Sequence, residues 1–328
     1  SHRTGAVITI PVVVHVVYNT AAQNISDAQI QSQIDVLNED YAGTNADHNL
    51  TSTYNTVKAG DIGVRFVLDA VNRRSTTKTS WSTNDAMKKS AQGIAPTSPT
   101  TKLNSWVCNM GGGILGYAQF PGGAAATDGV VLLNGSVGGP GALGTAAPYN
   151  RGRTATHEIG HWLNLRHIWG DANCGNDFVA DTPTQQTSNF SCPSFPHVTC
   201  SNGPNGDMFM NYMDYVDDAC MVMFTAGQST RMNTSLTSTR ASLLTSQGCV
   251  PVTVGVPAAN FVASATNLTV GGSTNFTDLS TGSPTSWSWT FTGGTPASST
   301  TQNPSNISYA AAGTYQVSLT VTNANGSD

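Results

Sequence analysis

His157-Glu158-Ile159-Gly160-His161-Trp162-Leu163-Asn164-Leu165-Arg166-His167 decides how the chain is read. On a helix, residues four apart share a face, so His157 and His161 can reach one metal ion with Glu158 beside them. The same helix cannot present His167, and the chain must reverse after the second histidine. Asn164 marks that reversal, because after glycine it is asparagine that best tolerates the left-handed conformation ending helices. Three neutral imidazoles leave the fourth position of a zinc ion open to water, which is the catalytic pattern; structural zinc is closed by four ligands, usually including cysteine. Glu158 is placed to act as general base on such a water. The chain holds two glutamates and seven histidines in 328 residues. From a given histidine, chance placement of the rest at these spacings is roughly a few in a million.

Outward from this motif the pattern is mixed. The β-branched run from Val7 to Tyr18 carries Pro11 and His15 and predicts a buried strand, not an export leader or a membrane span. Ile30, Ile34, Val36 and Leu37 follow a Ser26-Asp27 cap at helical spacing. Strands are expected at 64–68, 103–108, 114–120 and 129–133, and a helix from Thr154 to Leu165. Residues 70–100 are rich in Ser, Thr and Lys and predict a surface excursion. A last helix is expected from about Thr225 to Leu244. Strands interleaved with long helices argue an α+β domain with a twisted mixed sheet. Residues 174–225 lack regular signals and hold four cysteines, which predicts an irregular lower lobe needing cross-links.

Only 10% of residues are charged and the net charge is −5. There is no basic stripe, which excludes nucleic acid as a partner. Six cysteines suit an oxidising compartment. Cys174, Cys192, Cys200 and Cys220 contain no Cys-x-x-Cys pair and allow three pairings. Cys108 and Cys249 are expected to form a further bond by parity.

The histidine–glutamate motif with its third histidine resembles the metzincin clan, with Asn164 where glycine is usual. Asn211-Tyr212-Met213-Asp214-Tyr215-Val216-Asp217-Asp218-Ala219-Cys220 resembles the methionine turn of the pappalysin family, in particular its cytophagalysin and ulilysin-like members. The resemblance spans roughly residues 7–249. It implies a secreted zinc metalloendopeptidase in which His157, His161 and His167 hold Zn2+, Met213 floors the imidazoles, and Tyr215 hydrogen-bonds the developing oxyanion. It implies that Gly116-Tyr117-Ala118 forms a rim strand to which an extended substrate adds. It implies the pairings Cys174–Cys200 and Cys192–Cys220. A structural Ca2+ is expected at Asp177, Asp181 and Thr182, hard oxygen ligands in the irregular lobe; the alternative is that they are solvated turn residues. Asp218, five residues past the turn methionine, is expected to read Arg or Lys immediately after the scissile bond. Its alternatives are a solvated loop residue or one that holds a metal or the backbone.

Residues 251–256 form a short Val/Pro/Gly linker. Beyond it cysteine and histidine vanish and alternation takes over in Trp287-Ser288-Trp289-Thr290-Phe291 and Tyr315-Gln316-Val317-Ser318-Leu319-Thr320-Val321, the pattern of a β-sandwich. With Phe276-Thr277-Asp278 and Asn303-Pro304, residues 257–328 resemble a PKD domain, an immunoglobulin-like sandwich, here expected to stop short of its final strand. It is expected to contact an extracellular polymer or a cell surface, or to act as a spacer.

The reading is therefore a secreted, monomeric zinc endopeptidase, residues 1–250, acting on proteins or peptides, with no membrane span. Its rivals are a broad-specificity protease, a hydrolase of very short or non-protein substrates, and a zinc-holding binding protein. Glu158 and the open fourth position argue against the last, because a scaffold needs neither.

Overall fold

In the computed structural model, which describes residues 7–49, 53–245, 256–280, 284–323 and 326–328, the β-branched run forms strand β1 (Ile8–Tyr18). It lies second in a five-stranded sheet with β2 (Val64–Ser75), β3 (Leu103–Cys108), β4 (Gly116–Ala118) and β5 (Val130–Leu133). The order is β2-β1-β3-β5-β4. All neighbours run parallel except β4, which is antiparallel to β5 and closes the sheet at its cleft end. A parallel strand covered on both faces must be apolar throughout, and β1 is buried for ten of its eleven residues.

Helix α1 (Asp27–Ala42) starts where the sequence places it. Ser26 caps it by accepting from the Gln29 amide, and Gly43 ends it at φ 64°. Ile30, Ile34 and Leu37 of α1 share one core with Ile10, Val12, Val14 and Val16 of β1 and with Ile159 of helix α2 (Arg153–Trp162). The opposite face of the sheet carries a second core of Val17, Trp106, Cys108 and Val131 with Trp81, Met87 and Met110. This corrects the surface reading of residues 70–100. β2 continues to Ser75, and the polar stretch behind it buries Trp81 and Met87, two apolar residues too widely spaced to signal packing.

Helix α3 (Ala226–Thr237) opens with a reciprocal Thr225–Gln228 capping box. It stops seven residues before the expected Leu244, and a 3₁₀ turn resumes at Ala241. In the Ser/Thr run that ends it, Thr237 and Ser238 hydroxyls bond carbonyls three to four residues back, which competes with the helix. Arg240 instead turns inward. Its guanidinium pairs with Asp128 at 2.8 and 2.9 Å, its Nε donates to the Trp162 carbonyl, and it lies 4.0 Å over the Trp162 ring. The end of α2 is held by this contact.

The start of α2 is held by a buried charge. Arg153 meets Asp40 of α1 at 3.3 Å and Asp47 at 3.0 Å, and donates to the Tyr212 hydroxyl and the Met221 carbonyl. Asp40 also accepts from the Thr156 and Tyr212 hydroxyls at 2.7 and 3.0 Å. A buried pair with its remaining hydrogen-bond positions filled is tolerated; one partner alone is not.

Below the helices the chain is irregular, as its composition predicts. Two disulfides, Cys174–Cys200 and Cys192–Cys220, cross-link it. They span 26 and 28 residues, and in the chain-entropy picture loops of that size are stabilised by about 3–4 kcal/mol each. The parity argument for a third bond fails at Cys108, a free thiol that is fully buried in the upper core with its Sγ 3.6 Å from Met110 Sδ. Cys249 lies outside the described residues.

By internal contacts the chain divides into Ser1–Pro251 and Val252–Asp328. Of the expected linker 251–256 only Val256 is described. The second unit contains antiparallel sheets around a core of Phe276, Trp289, Phe291, Ile307, Tyr309, Leu319 and Val321. The expected alternation is visible in Ser286–Phe291, where Trp289 and Phe291 point inward and Ser288 and Thr290 outward.

Candidate active site

Every residue of α2 is buried. The helix ends at Trp162, three residues earlier than the apolar pattern suggests. Asn164 then takes φ 78°, and the Asn164 and Leu165 amides donate to the His161 and Gly160 carbonyls. This left-handed turn returns the chain so that His167 faces His157 and His161. The ligand nitrogens of the three histidines lie within 4.8 Å of one another.

Each ring is fixed through its Nδ1. His157 Nδ1 is 2.7 Å from the Tyr212 carbonyl, His161 Nδ1 is 2.8 Å from the Leu165 carbonyl, and His167 Nδ1 is 2.5 Å from Asp171 Oδ1. Donation from Nδ1 leaves a lone pair on every Nε2. The Nε2 atoms of His161 and His167 stand 3.1 Å apart. Two lone pairs facing each other at that distance share no proton, and a cation resolves the repulsion. Burial and the neighbouring rings hold His157 and His161 well below the usual histidine pKa, His161 down to about 4, which leaves both neutral, the form a metal ligand needs. An all-imidazole donor set of this kind fits zinc.

Met213 is fully buried. A Cβ on Gly160 would meet its sulfur at 2.5 Å, so the glycine between the two helical histidines lets the methionine pack against α2. A mid-helix glycine costs about 1 kcal/mol, and such a position signals close packing. The turn itself is tied by Asn211, which exchanges side-chain bonds with Gln228 of α3 and accepts from the Met213 amide. Asp214 accepts from Gln185, from Asn189 twice and from the Tyr215 amide. Tyr215 is 37% exposed, and its hydroxyl is 2.9 Å from His167 Nε2.

Glu158 stands on the cleft side of α2. Its carboxylate has so little room that a Cβ on Gly116 would come within 2.9 Å of its Cγ and Oε1. Burial pushes its carboxyl up to about 8. His157 and Glu158 line a cavity of about 380 Å³, together with Gly116, Tyr215, Tyr149, Met221 and Asp218 among others. Asp218 is not a solvated loop residue. One carboxylate oxygen accepts from the Arg151 and Arg153 amides at 2.7 and 3.3 Å, so it also fastens the chain entering α2.

Of the lower-lobe oxygens expected to hold calcium, the Thr182 hydroxyl lies 2.9 Å from both carboxylate oxygens of Asp177. Asp181 accepts from the Thr225 hydroxyl and the Gly227 amide at the start of α3. Asp177 accepts from the Thr182 hydroxyl and the Val179 amide. Among the described residues the one group of three or more His, Cys, Asp or Glu able to hold a metal is His157, His161 and His167. Gly160, Asp171 and Arg240 were not legible as site residues. Only Gly160 carried a signal, its place inside a helix.

Residues 105–237 match the peptidase M43 family, described as pregnancy-associated plasma protein-A, and residues 258–328 match the PKD domain. An extracellular metalloprotease of Pyricularia oryzae is 36% identical over 244 residues, 71% of this chain and 77% of its own length. The chain belongs to the M43 family. An extracellular metalloprotease of Coccidioides posadasii is also 36% identical over 244 residues, 69% of this chain and 76% of its own length. Mature mirolysin of Tannerella forsythia, solved with a cleaved peptide, is 46% identical and superposes with a TM-score of 0.69 over 73% of this chain and 96% of its own. This M43 peptidase is thus a metalloendopeptidase of metzincin fold with an appended PKD domain. Among the described residues no helix is long and apolar enough to cross a membrane.

Proposed function

We propose that this M43 peptidase is a secreted, monomeric zinc endopeptidase that cuts proteins before arginine and lysine, with Glu158 as general base and Tyr215 as oxyanion donor. The observation that carries the reading is that one cavity joins the reacting groups, His157 and Glu158, to the carboxylate of Asp218. Relatives named extracellular metalloproteases and a mirolysin structure holding a cleaved peptide support it.

His157, His161 and His167 would hold the ion; when bound, zinc acts as a Lewis acid that polarises the scissile carbonyl and makes water acidic enough to react near neutrality. Glu158 takes the proton of the attacking water and passes it to the departing amine, which balances the hydrolysis. Tyr215 donates its hydroxyl to the carbonyl oxygen as negative charge develops there. Strand β4 aligns the substrate. Leu133 donates to Leu115 and Gln119 to Gly129, so in this antiparallel ladder the odd positions, Tyr117 included, pair with β5. Gly116 and Ala118 then offer their peptide groups on the free edge to an added strand. Tyr117 is displaced from the role expected of it: its hydroxyl bonds Asp85 at 2.8 Å in the upper lobe.

Asp218 supplies selectivity. Burial pushes its carboxyl up to about 6 against two amides and nearby arginines that pull it down, so its charge is under-compensated. A guanidinium entering the cavity answers that charge with paired hydrogen bonds. Charge-assisted bonds contribute about 1.5–3 kcal/mol, or roughly ten- to a hundredfold in selectivity. Sequencing the cut sites in a proteome digest is expected to show Arg, then Lys, immediately after the cut. Asp218→Asn, which keeps an acceptor for the amides, is expected to lose that preference. A hydrophobic residue at that position in the parent, or an unchanged profile in the variant, would refute the assignment.

All of these groups lie in the first unit, and the mirolysin match covers nearly the whole of that protein. A chain ending at Pro251 is expected to cut short peptides at the parental rate. The PKD domain is proposed to contact an extracellular polymer or cell surface. A folded but inactive truncation would show that it shapes the cleft.

A further inference from the structure

The three imidazoles are not held alike. His157 and His161 are oriented by backbone carbonyls of the protein interior, whereas His167 is oriented by a carboxylate, Asp171 Oδ1, at 2.5 Å. We propose that Asp171 is a positioning residue that fixes His167 for zinc and sets how long the metal stays bound. The proposal rests on the three-histidine reading above.

The loop is built to deliver that carboxylate. The Gly170 amide donates to the His167 carbonyl at 2.8 Å, and Gly170 and Asp171 follow with φ 64° and 57°. Two consecutive left-handed residues fold the chain back over its own start. Glycine takes this conformation freely, and aspartate is among the few other residues that tolerate it. A Cβ on Gly170 would come within 2.3 Å of the Asn176 backbone, so the turn is clamped against the next segment. Cys174, bonded to Cys200, anchors that segment. From the other side Trp169 stacks on the His167 ring at 4.3 Å and 7° between planes. The ring is left one orientation, with Nδ1–H on Asp171 and Nε2 toward His161.

A carboxylate behind a ligand imidazole does two things. It fixes the tautomer, and it makes the metal-binding nitrogen a better donor than a carbonyl does, because its charge stabilises the polarised ring. His167 follows a turn outside α2, so it lacks the helix that holds the other two ligands. Replacing such partners typically lowers metal affinity 10–100-fold.

The test is zinc retention in the full chain, read by competition with a coloured chelator. Asp171→Ala is expected to weaken zinc binding 10–100-fold and to speed its loss to the chelator by a similar factor, with the metal-free protein still folded though slightly destabilised by alanine at positive φ. Asp171→Asn keeps the acceptor and the volume but not the charge, and is expected to fall between Ala and the parent. The visible spectrum of the cobalt-substituted protein should shift in both variants, which a purely structural role would not produce. Affinity within twofold of the parent in both variants would overturn the proposal. His161→Ala separates the two levels: loss of zinc there with normal retention in the Asp171 variants overturns only the role of Asp171. Zinc retained in His161→Ala overturns the three-histidine reading with it.

Discussion

Glu158→Gln is expected to keep its metal and its fold and to lose turnover by roughly 10³-fold, within the 10²–10⁴ that a positioned general base contributes. The amide matches the carboxylate in size, so it fills the same space against Gly116, where there is no slack. It cannot accept the proton of the attacking water. The proposed metal ligands are His157, His161 and His167, whose Nδ1 partners, the Tyr212 and Leu165 carbonyls and Asp171, do not involve Glu158. Because the lost interaction belongs to the transition state, kcat and kcat/KM should fall together while KM stays near its parental value. Metal analysis beside steady-state kinetics on a peptide decides it. A variant retaining a tenth of parental turnover would remove Glu158 from the role of base.

Tyr215→Phe is the second large effect, about 10²-fold in kcat, the scale of losing one oxyanion donor. Tyr215 is the most exposed residue of its turn, with the rest of Asn211–Asp218 buried or half-buried, and its ring rests on Trp169 and His167 at 4.8 and 4.9 Å. Phenylalanine keeps those ring contacts. Only the hydroxyl is lost, and burial pushes the phenol up to about 12. Zinc content and melting temperature should therefore be unchanged. Parental turnover in the variant would leave Tyr215 as a packed aromatic and no more.

What could be read in advance follows from how locally each feature is specified. The histidines and Glu158 are fixed by helical spacing and one turn, and Asn164 shows its purpose in the sequence because only a residue tolerant of positive φ serves there. β1 was legible because a strand buried on both faces is apolar at every position. The upper lobe was not, since Trp81 and Met87 pack through sheet contacts distant in sequence. Cys108 defeats counting, because a small buried thiol packs in a core as well as it forms a bond. Asp181 ties down the start of α3 through Thr225 and Gly227, partners too distant in sequence for local spacing to display. Asp218 combines two of the readings open to it, a backbone anchor that also lines the cavity. Asp171 gave no signal, for its meaning depends on two left-handed residues that one sequence does not display.

The central claim is that one zinc ion sits among His157, His161 and His167, and anomalous diffraction across the zinc absorption edge tests it most directly. One strong peak is expected above the edge, ~2.0–2.1 Å from the Nε2 atom of each of the three rings, the usual Zn–N distance. It should disappear in data collected below the edge and in crystals of His161→Ala. An active protein with no peak at the three rings, or with its zinc bound elsewhere, would contradict the account.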